Sequence, residues 1–467
     1  MSIRSVVGKE AVKVKQMDMT HGSLWNKILM VALPLAASSI LQQLFNSADV
    51  AVVGKFAGSD ALAAVGGNSS VINLLINSFV GLSVGANVVI ANYIGQQKKD
   101  KLQEVIHTVI LLAIICGIFM LIIGISFAKP VLILIKTPED ILEQAVLYLR
   151  IYMLGMPFVM LYNFGAAVLR SIGDTKRPLF CLIISGIINV ILNIVLVVVF
   201  RLNVAGVAIA TVVANIVSSG IVVWILMHEE ESIRLHPSKL HINGHDLSKV
   251  LRIGAPAGIQ GMVFSLSNVC IQSAINGFGP DAIAGSAAAL NFEFCTYFVI
   301  SAFNQTMVTF TSQNYGARQY DRCKKVYRLC MIMGMGICAM TSTTFILGRH
   351  LFIQFFTDDP AVIEYAMIRM THVMMLECLT GTYEISGAGL RGMGYSLLPT
   401  IFTILGSCGF RILWLYTVFR IFPTFDWLMN VYPVSWILTG SAVVTAYLLI
   451  RRRAFKDKIP SVKEESK

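Results

Sequence analysis

The chain has 467 residues, of which 56% are hydrophobic and only 13% are charged. Soluble domains carry about 25% charged residues, so a deficit over the whole length excludes an ordinary water-soluble protein and indicates an integral membrane protein. The net charge of +11 does not indicate nucleic-acid binding, because the basic residues stand in short breaks between apolar runs and not on one polar face.

Twelve stretches are apolar enough to cross a membrane, since a spanning helix needs about 20 mostly apolar residues. The strict alternation of a membrane barrel is absent, so each span is predicted to be a helix. In chain order the spans lie near 24–52, 61–93, 104–128, 140–168, 179–200, 205–227, 250–276, 281–312, 325–348, 361–388, 396–419 and 431–450. The sequence therefore predicts an all-α integral membrane protein.

The first span carries a polar stripe that ends in an acid. Gln42, Asn46 and Asp49 lie at i, i+4 and i+7, on one face of a helix, and Ser38 extends that face by a turn. An ionisable group at mid-membrane costs about 3 kcal/mol on insertion scales, so Asp49 is a candidate ion-coupling group. The amides could serve as polar contacts between helices. We also assign Gln42 and Asn46 as candidate substrate contacts.

Spans 5 and 6 supply neutral oxygen atoms that could join this acid. Asn189 and Asn193 stand one turn apart on span 5, and Thr211 lies on span 6. With Asp49 they could form an oxygen cage for a small hard cation such as Na⁺. They could equally form a pocket in which burial raises the pKa of the carboxyl group and lets it exchange a proton near neutral pH. These residues alone do not separate the two ions.

The second half of the chain carries its own acids within the spans. Glu293 lies on span 8, and Glu377 and Glu384 lie seven residues apart on one face of span 10. We predict Glu293 and Glu384 to be contacts for cationic substrates or a second coupling site. Glu377 is expected to pair with a neighbour or to lie near the end of its span.

The sequence repeats itself across its midpoint. SDALAAVGG at 59–67 resembles PDAIAGSAA at 280–288, and AVLRSIGDTKRP at 167–178 resembles AGLRGMGYSLLP at 388–399. One offset of 221 residues covers both matches. Because the period contains six spans, the two halves are predicted to be parallel six-helix bundles related by a pseudo-two-fold axis along the membrane normal. Rocking of such bundles about a central cleft would give alternating access.

The basic residues predict the orientation of the chain. They cluster in the even-numbered breaks between spans and are sparse in the odd-numbered ones, which places the even breaks and both termini in the cytoplasm. The predicted organisation is an N-terminal cytoplasmic segment 1–22, an N-lobe 23–228, a cytoplasmic linker 229–248, a C-lobe 249–451 and a cytoplasmic tail 452–467.

These features together resemble the multidrug and toxic compound extrusion (MATE) family over about residues 22 to 450. The resemblance rests on Asp49 followed by VG, on DALAAVG, on the breaks GQQKKDK and YGARQYDR, and on LR-x-x-G-D-T-K-R-P with its degenerate second copy. The family consists of twelve-helix antiporters. The resemblance implies export of amphipathic, often cationic compounds while Na⁺ or H⁺ moves inward.

The resemblance also implies a cation site in the first bundle. Many members combine the first-helix Asp with an Asn and an Asp one turn apart on helix five and a Thr on helix six. Asp49, Asn189 and Thr211 match this pattern, whereas Asn193 replaces the second Asp. The loss of one negative charge weakens the case for Na⁺ and favours a single-carboxylate proton site.

A second departure concerns the branch within the family. NorM-like members carry a Glu on helix seven, eight residues after its proline. Here Phe264 stands eight residues after Pro256. The chain therefore resembles DinF-like or MepA-like members more than NorM-like ones, with coupling in the first bundle.

Several other functions fit the sequence less well than an antiporter does. A lipid-linked oligosaccharide or lipid flippase of the same superfamily is the main alternative, and it is disfavoured by twelve spans and by essentially no Lys or Arg within them. An intramembrane enzyme is disfavoured because an HExxH motif is absent. We expect a monomer in the bacterial inner membrane, with small amphipathic substrates, a coupling ion in place of a cofactor, and no nucleic-acid partner.

Overall fold

The computed structural model describes residues 17–135, 137–354 and 357–456, and the elements in these ranges are helices. The predicted segment 1–22 and tail 452–467 lie mostly outside the described residues. The helices of the first half are α1 (Leu24–Phe56), α2 (Ser59–Gly95), α3 (Lys99–Leu134), α4 (Glu139–Leu154), α5 (Met156–Ser171), α6 (Lys176–Asn193) with a π-helical stretch (Ile194–Val199), and α7 (Asn203–Met227).

The second half is cut into more pieces. Its helices are α8 (Gly244–Asn276), α9 (Pro280–Gly316), α10 (Tyr320–Leu347), α11 (Arg349–Gln354), α12 (Pro360–His372), a 3₁₀ turn (Met374–Leu379), α13 (Thr380–Gly392), α14 (Leu397–Thr403), a π-helical stretch (Ile404–Gly409), α15 (Phe410–Tyr416), α16 (Val418–Ile421), α17 (Phe425–Met429) and α18 (Val431–Lys456).

Each of the twelve predicted spans coincides with a helix or a broken helical segment. Within the described ranges, nine segments are long and apolar enough to cross a membrane, and α4 with α5, bent by 45° at Gly155, makes a tenth. The other two predicted spans do not meet this criterion of length and apolar composition, each for a different reason. α8 is long enough but carries many polar residues, and span 10 is divided into α12, a 3₁₀ turn and α13.

The predicted repeat is visible in backbone geometry. α2 and α9 begin and end at the same 221-residue offset, and each follows a glycine, Gly58 with φ 93° and Gly279 with φ 98°. Glycine is needed there because a Cβ atom disfavours this backbone region. Two more pairs of residues with positive φ are also 221 residues apart, namely Gln97 with Arg318 and Gly173 with Gly394. The internal repeat is thus confirmed at the level of individual dihedral angles.

The chain forms two compact units that divide within α8. Unit 1 contains Leu29–Ser265, and unit 2 contains Leu266 onward together with the short stretch Ser23–Ile28. The first part of α8 belongs to unit 1 because it packs closely on α2, where a Cβ atom on Gly81 would lie 2.0 Å from the backbone nitrogen of Gly258. Small residues allow such close approach of membrane helices. The predicted lobe boundaries stay predictions.

The predicted linker lies against α3 in unit 1. The backbone N–H of His236 donates to Nε2 of His107 at 3.0 Å, and the backbone N–H of Asn243 donates to Oγ1 of Thr108 at 3.0 Å. α8 begins at Gly244, so the last residues of the predicted linker are helical. The side chains of α3 therefore satisfy backbone groups of the linker that would otherwise need water.

Candidate ion-coupling site

Asp49 lies half-buried on α1, in contact with two of the three neutral side chains predicted to join it. Asn193 donates from Nδ2 to Oδ1 of Asp49 at 2.5 Å, and Thr211 approaches Oδ2 at 3.5 Å. Asn189 completes the group, since its Oδ1 accepts from Asn193 at 3.2 Å and its Nδ2 donates to Thr211 at 3.4 Å. The structure therefore brings the four residues together in unit 1, and their role in coupling stays a prediction.

The two asparagines lie near the C-terminal end of α6. Both are buried, with 5% of Asn189 and 0% of Asn193 exposed. Asn193 is the last residue of α6, and the π-helical stretch Ile194–Val199 follows it directly. Such i→i+5 turns recur at functional sites because they redirect side chains within a helix. Oδ1 of Asn193 is buried and accepts no hydrogen bond from any described residue, which leaves one acceptor oxygen beside the carboxylate.

α1 is placed against α6 by an aromatic ring that fills the space above a glycine. A Cβ atom on Gly186 would lie 1.9 Å from Cε2 of Phe45. Phe45 stands one turn before Asp49, and Gly186 stands two turns before Asn193. Packing at this point thus fixes the distance between the acid on α1 and the amide on α6.

Replacing Gly186 by Val should push the Phe45 ring away and separate Asp49 from Asn193. Inserting methyl groups into a packed contact costs about 1–3 kcal/mol. We expect a large loss of transport in vesicles containing the Gly186→Val variant. Gly220→Val on α7 is the matched control, because a Cβ atom there meets no atom within 4 Å. Equal activity of both variants would show that the Phe45–Gly186 contact does not position Asp49.

Gln42 and Asn46 lie on α1 but outside the hydrogen bonds around Asp49. Both are exposed, Gln42 two turns and Asn46 one turn before the acid. Ser38, which continues the stripe, donates its hydroxyl to the backbone carbonyl of Pro34 at 2.8 Å. The hydroxyl group of Ser38 is therefore hydrogen-bonded within its own helix. The two amides remain predicted substrate contacts.

Glu293 in unit 2 forms a buried ion pair that the sequence analysis did not anticipate. Arg369 on α12 donates from Nε to one carboxylate oxygen at 2.6 Å and from Nη2 to the other at 2.9 Å. Only 3% of the Arg369 side chain and 8% of the Glu293 side chain are exposed. A bidentate guanidinium occupies both oxygens of Glu293. A cationic substrate that contacts Glu293, as predicted, would have to displace Arg369 or share the carboxylate with it.

The other two acids predicted within the spans of unit 2 both contact α9. Glu377 accepts a hydrogen bond from the hydroxyl of Thr296, and Glu384 accepts one from the side-chain amide of Asn304. Both acids are buried. Glu377 lies in the 3₁₀ turn between α12 and α13, away from both ends of predicted span 10, and its partner is a neutral hydroxyl. Glu384 remains a predicted substrate contact.

The expectation of essentially no basic residue within the spans is wrong. Arg369 and Arg411 are each 3% exposed and lie within predicted spans 10 and 11. Arg411 lies over the ring of Tyr432, with 4.6 Å from the guanidinium carbon to the ring centroid, and donates to Ser435 and Asn268 at 3.3 Å. Glu293 within a predicted span was a signal for Arg369, since buried charges are usually paired.

The repeated LR-x-x-G-D-T-K-R-P motif ends one helix and starts the next. Asp174 accepts the backbone N–H groups of Lys176 and Arg177 at 3.1 Å in the first turn of α6, and its other oxygen pairs with the guanidinium of Arg177. Arg177 also pairs with Glu229, at the start of the linker. The motif is therefore structural in unit 1, because it caps α6 and fastens the linker.

An internal six-span repeat, with a carboxyl group and two amides held inside one unit, defines a helical membrane protein with the architecture of secondary transporters. A family model described as MatE matches residues 34–195 and again 256–417. The chain belongs to this family of multidrug and toxic compound extrusion transporters. The resemblance derived from the sequence is thus confirmed, while the branch within the family stays a prediction.

Individual relatives agree with the family assignment. The chain is 26% identical to the probable multidrug resistance protein YoeA of Bacillus subtilis, over 84% of this chain and 86% of that protein. It is 22% identical to the multidrug export protein MepA of Staphylococcus aureus, over 82% and 84%. A crystal structure of MATE in complex with MaL6 has the same fold, with a TM-score of 0.88, 18% identity, and coverage of 95% of this chain and 100% of that one.

Proposed function

We propose that the protein is a secondary active antiporter, not an enzyme, and that it exports amphipathic cationic drugs or metabolites in exchange for H⁺ or Na⁺. Coupling would run through Asp49, and alternating access through rocking of the two lobes. The observation that carries the proposal is the contact of Asp49 with Asn193 and Thr211 inside a membrane span. An ionisable group within a membrane span is energetically costly, and such a residue usually has a function.

The chemistry of the four side chains supports an exchangeable small cation. Asp49 supplies one negative charge, while Asn189, Asn193 and Thr211 supply neutral oxygen atoms and hydrogen bonds. Such oxygens suit Na⁺, and a single carboxylate also suits a proton. Transport coupled to an ion at this site would require no cofactor. Binding of substrate would then favour the lobe arrangement in which the ion leaves.

The relatives and the acids within the spans support the proposed substrate class. YoeA and MepA are named as multidrug resistance and export proteins, and by family membership we extend that substrate class to this chain. Gln42 and Asn46 on α1 and Glu384 on α13 are the proposed contacts, since their oxygen atoms can face a cation. Glu293 belongs with them only if a substrate can compete with Arg369.

We further propose the predicted placement in the bacterial inner membrane as a monomer with both termini in the cytoplasm. The support is the positive-inside pattern of the breaks between spans. Lys98, Lys99 and Lys101 follow α2, and Arg451, Arg452 and Arg453 lie in the last two turns of α18. Labelling of single cysteines in these breaks by a membrane-impermeant reagent, in intact and in permeabilised cells, checks this orientation.

The decisive experiment measures transport by purified protein in lipid vesicles under separately imposed H⁺ and Na⁺ gradients. Ethidium serves as the amphipathic cationic probe. We expect an outward-directed flux of ethidium that is driven by one of the two gradients and that in turn moves the ion. Ethidium flux that is equal with and without either gradient would contradict an antiporter.

A flippase remains the second candidate, and Arg411 is the observation that favours it. Its guanidinium is buried in unit 2 beside Tyr432 and Ser435, and guanidinium groups bind phosphate well. The same vesicles can carry a fluorescent phospholipid. ATP-independent equilibration of that lipid between leaflets, without ion movement, would support the flippase and not the antiporter.

Restoring the second acid of the family pattern should change the ion preference. Asn193→Asp places two carboxylates at the site, and two negative charges favour a metal cation over a single proton. We expect ethidium transport by this variant to rise with Na⁺ concentration more steeply than in the wild type, at constant ionic strength maintained with choline. Superimposable Na⁺ titrations would show that residue 193 does not contribute to ion binding.

A further inference from the structure

An apolar groove runs along the outer surface of unit 2. Its volume is about 700 Å³, and its walls are formed by α14 and by one face of α18. Leu398 and Phe402 stand on one side, Leu438, Ala442 and Leu449 stand on the other, and Arg453 lies at one end. Within the part of the chain that the structure describes, the only other polar side chains in the wall are Ser441 and Thr445. The groove is thus lined mainly by apolar side chains and has one cationic residue, Arg453, at its end.

The length of the groove matches one leaflet of a membrane. α18 rises about 1.5 Å per residue, so Leu438 and Arg453 are about 22 Å apart along the helix. Half of a bilayer including its headgroups measures about 20–22 Å. Leu438 would therefore lie near the midplane when Arg453 lies at the headgroup level. A lipid chain parallel to α18 would fill the groove along its whole length.

The charge at the end of the groove selects among lipids. Of the three consecutive arginines only Arg453 lines the groove, whereas the guanidinium of Arg451 lies over the ring of Tyr447, 5.5 Å from its centroid. Arg453 is exposed and belongs to a basic cluster, which attracts anionic headgroups at a membrane surface. No acid is among the described residues that form the wall, so none of their side chains opposes a phosphate there.

We propose that this groove is a binding site for one anionic phospholipid, with an acyl chain between α14 and α18 and the phosphate at Arg453. The proposal needs only that unit 2 spans a membrane, and it is independent of the antiport mechanism. The lipid would bridge α14 and α18 on the side that carries Arg453. The site is therefore distinct from the one around Asp49.

The test is retention of defined lipids by the purified full-length protein in native mass spectrometry. The protein is mixed with equal amounts of phosphatidylglycerol and phosphatidylcholine of the same acyl chains. We expect the wild type to retain phosphatidylglycerol preferentially, and Arg453→Gln to reduce that retention about five-fold, the usual effect of one basic residue near an anionic surface. Arg452→Gln is the matched control and should keep most of the preference, because Arg452 does not line the groove.

A second pair of variants tests the acyl-chain contact. Ala442→Phe fills the groove and should reduce retention of both lipids, whereas Leu448→Phe adds a ring to α18 outside the groove and should leave retention unchanged. Equal retention of the two lipids by the wild type, or no effect of Arg453→Gln, would overturn the proposal. Displacement of phosphatidylglycerol by ethidium would overturn it too, because the groove would then be a substrate site.

Discussion

Replacing Asp49 by Asn is expected to reduce ion-coupled ethidium transport to the level of protein-free vesicles. The amide keeps the size of the side chain and can still contact Asn193 and Thr211. It cannot take up a proton, and it removes the negative charge that a metal ion would need. The effect should therefore fall on coupling and not on folding. Flux measurements in vesicles under each gradient check it, with size-exclusion elution as the test of folding.

Asp60→Asn is the control for this experiment. Asp60 is an exposed acid in the first turn of α2, so its loss removes the same charge without touching the site. We expect this variant to transport ethidium at the wild-type rate. Wild-type coupling in the Asp49→Asn variant would show that the acid on α1 is not the coupling group.

Breaking the Glu293–Arg369 pair is expected to destabilise unit 2 strongly. Arg369→Met leaves the carboxylate of Glu293 buried without its bidentate partner. Removing one member of a buried ion pair typically costs about 3–5 kcal/mol, whereas replacing both members by neutral groups can cost little. The double variant Arg369→Met with Glu293→Gln should thus recover most of the lost stability. Thermal unfolding of the purified variants, followed by size-exclusion chromatography, measures both effects.

Lys324→Met is the comparison for the ion-pair experiment. Lys324 pairs with Asp321 at 2.8 Å, but both side chains are exposed, and such surface pairs contribute about 0–1 kcal/mol. A fall in melting temperature no larger for Arg369→Met than for Lys324→Met would contradict a stabilising role for the buried pair. The double variant has a second use. If it exports ethidium normally, Glu293 is not a substrate contact.

The parts of this structure that follow from periodicity could be predicted from the sequence. A helical period places Asn189 and Asn193 on one face of α6, and the 221-residue offset anticipates the shared left-handed backbone of Gly58 and Gly279. Asp49 could be singled out because an acid in an apolar span is rare and costly. These signals lie within one helix or recur at a fixed distance along the chain. They can therefore be recognised without knowing which helices are in contact.

Contacts between distant helices could not be predicted in the same way. Arg369 lies 76 residues from Glu293, and no spacing rule connects positions on different spans. The Phe45–Gly186 contact depends on how two helices cross, which a hydrophobic pattern does not determine. The break of span 10 at the 3₁₀ turn Met374–Leu379 was also missed, because an apolar run looks the same whether its backbone is continuous or broken.

The most direct test of Asp49 as the coupling group is the release of the coupling ion when substrate binds. Tetraphenylphosphonium is added to purified protein in detergent, with a pH indicator in weak buffer for H⁺ and, in a parallel experiment, radioactive Na⁺. If one site exchanges ion for substrate, the wild type should release about one ion of a single kind per chain, and Asp49→Asn none. Equal release from both proteins, or no release from the wild type, would contradict the account.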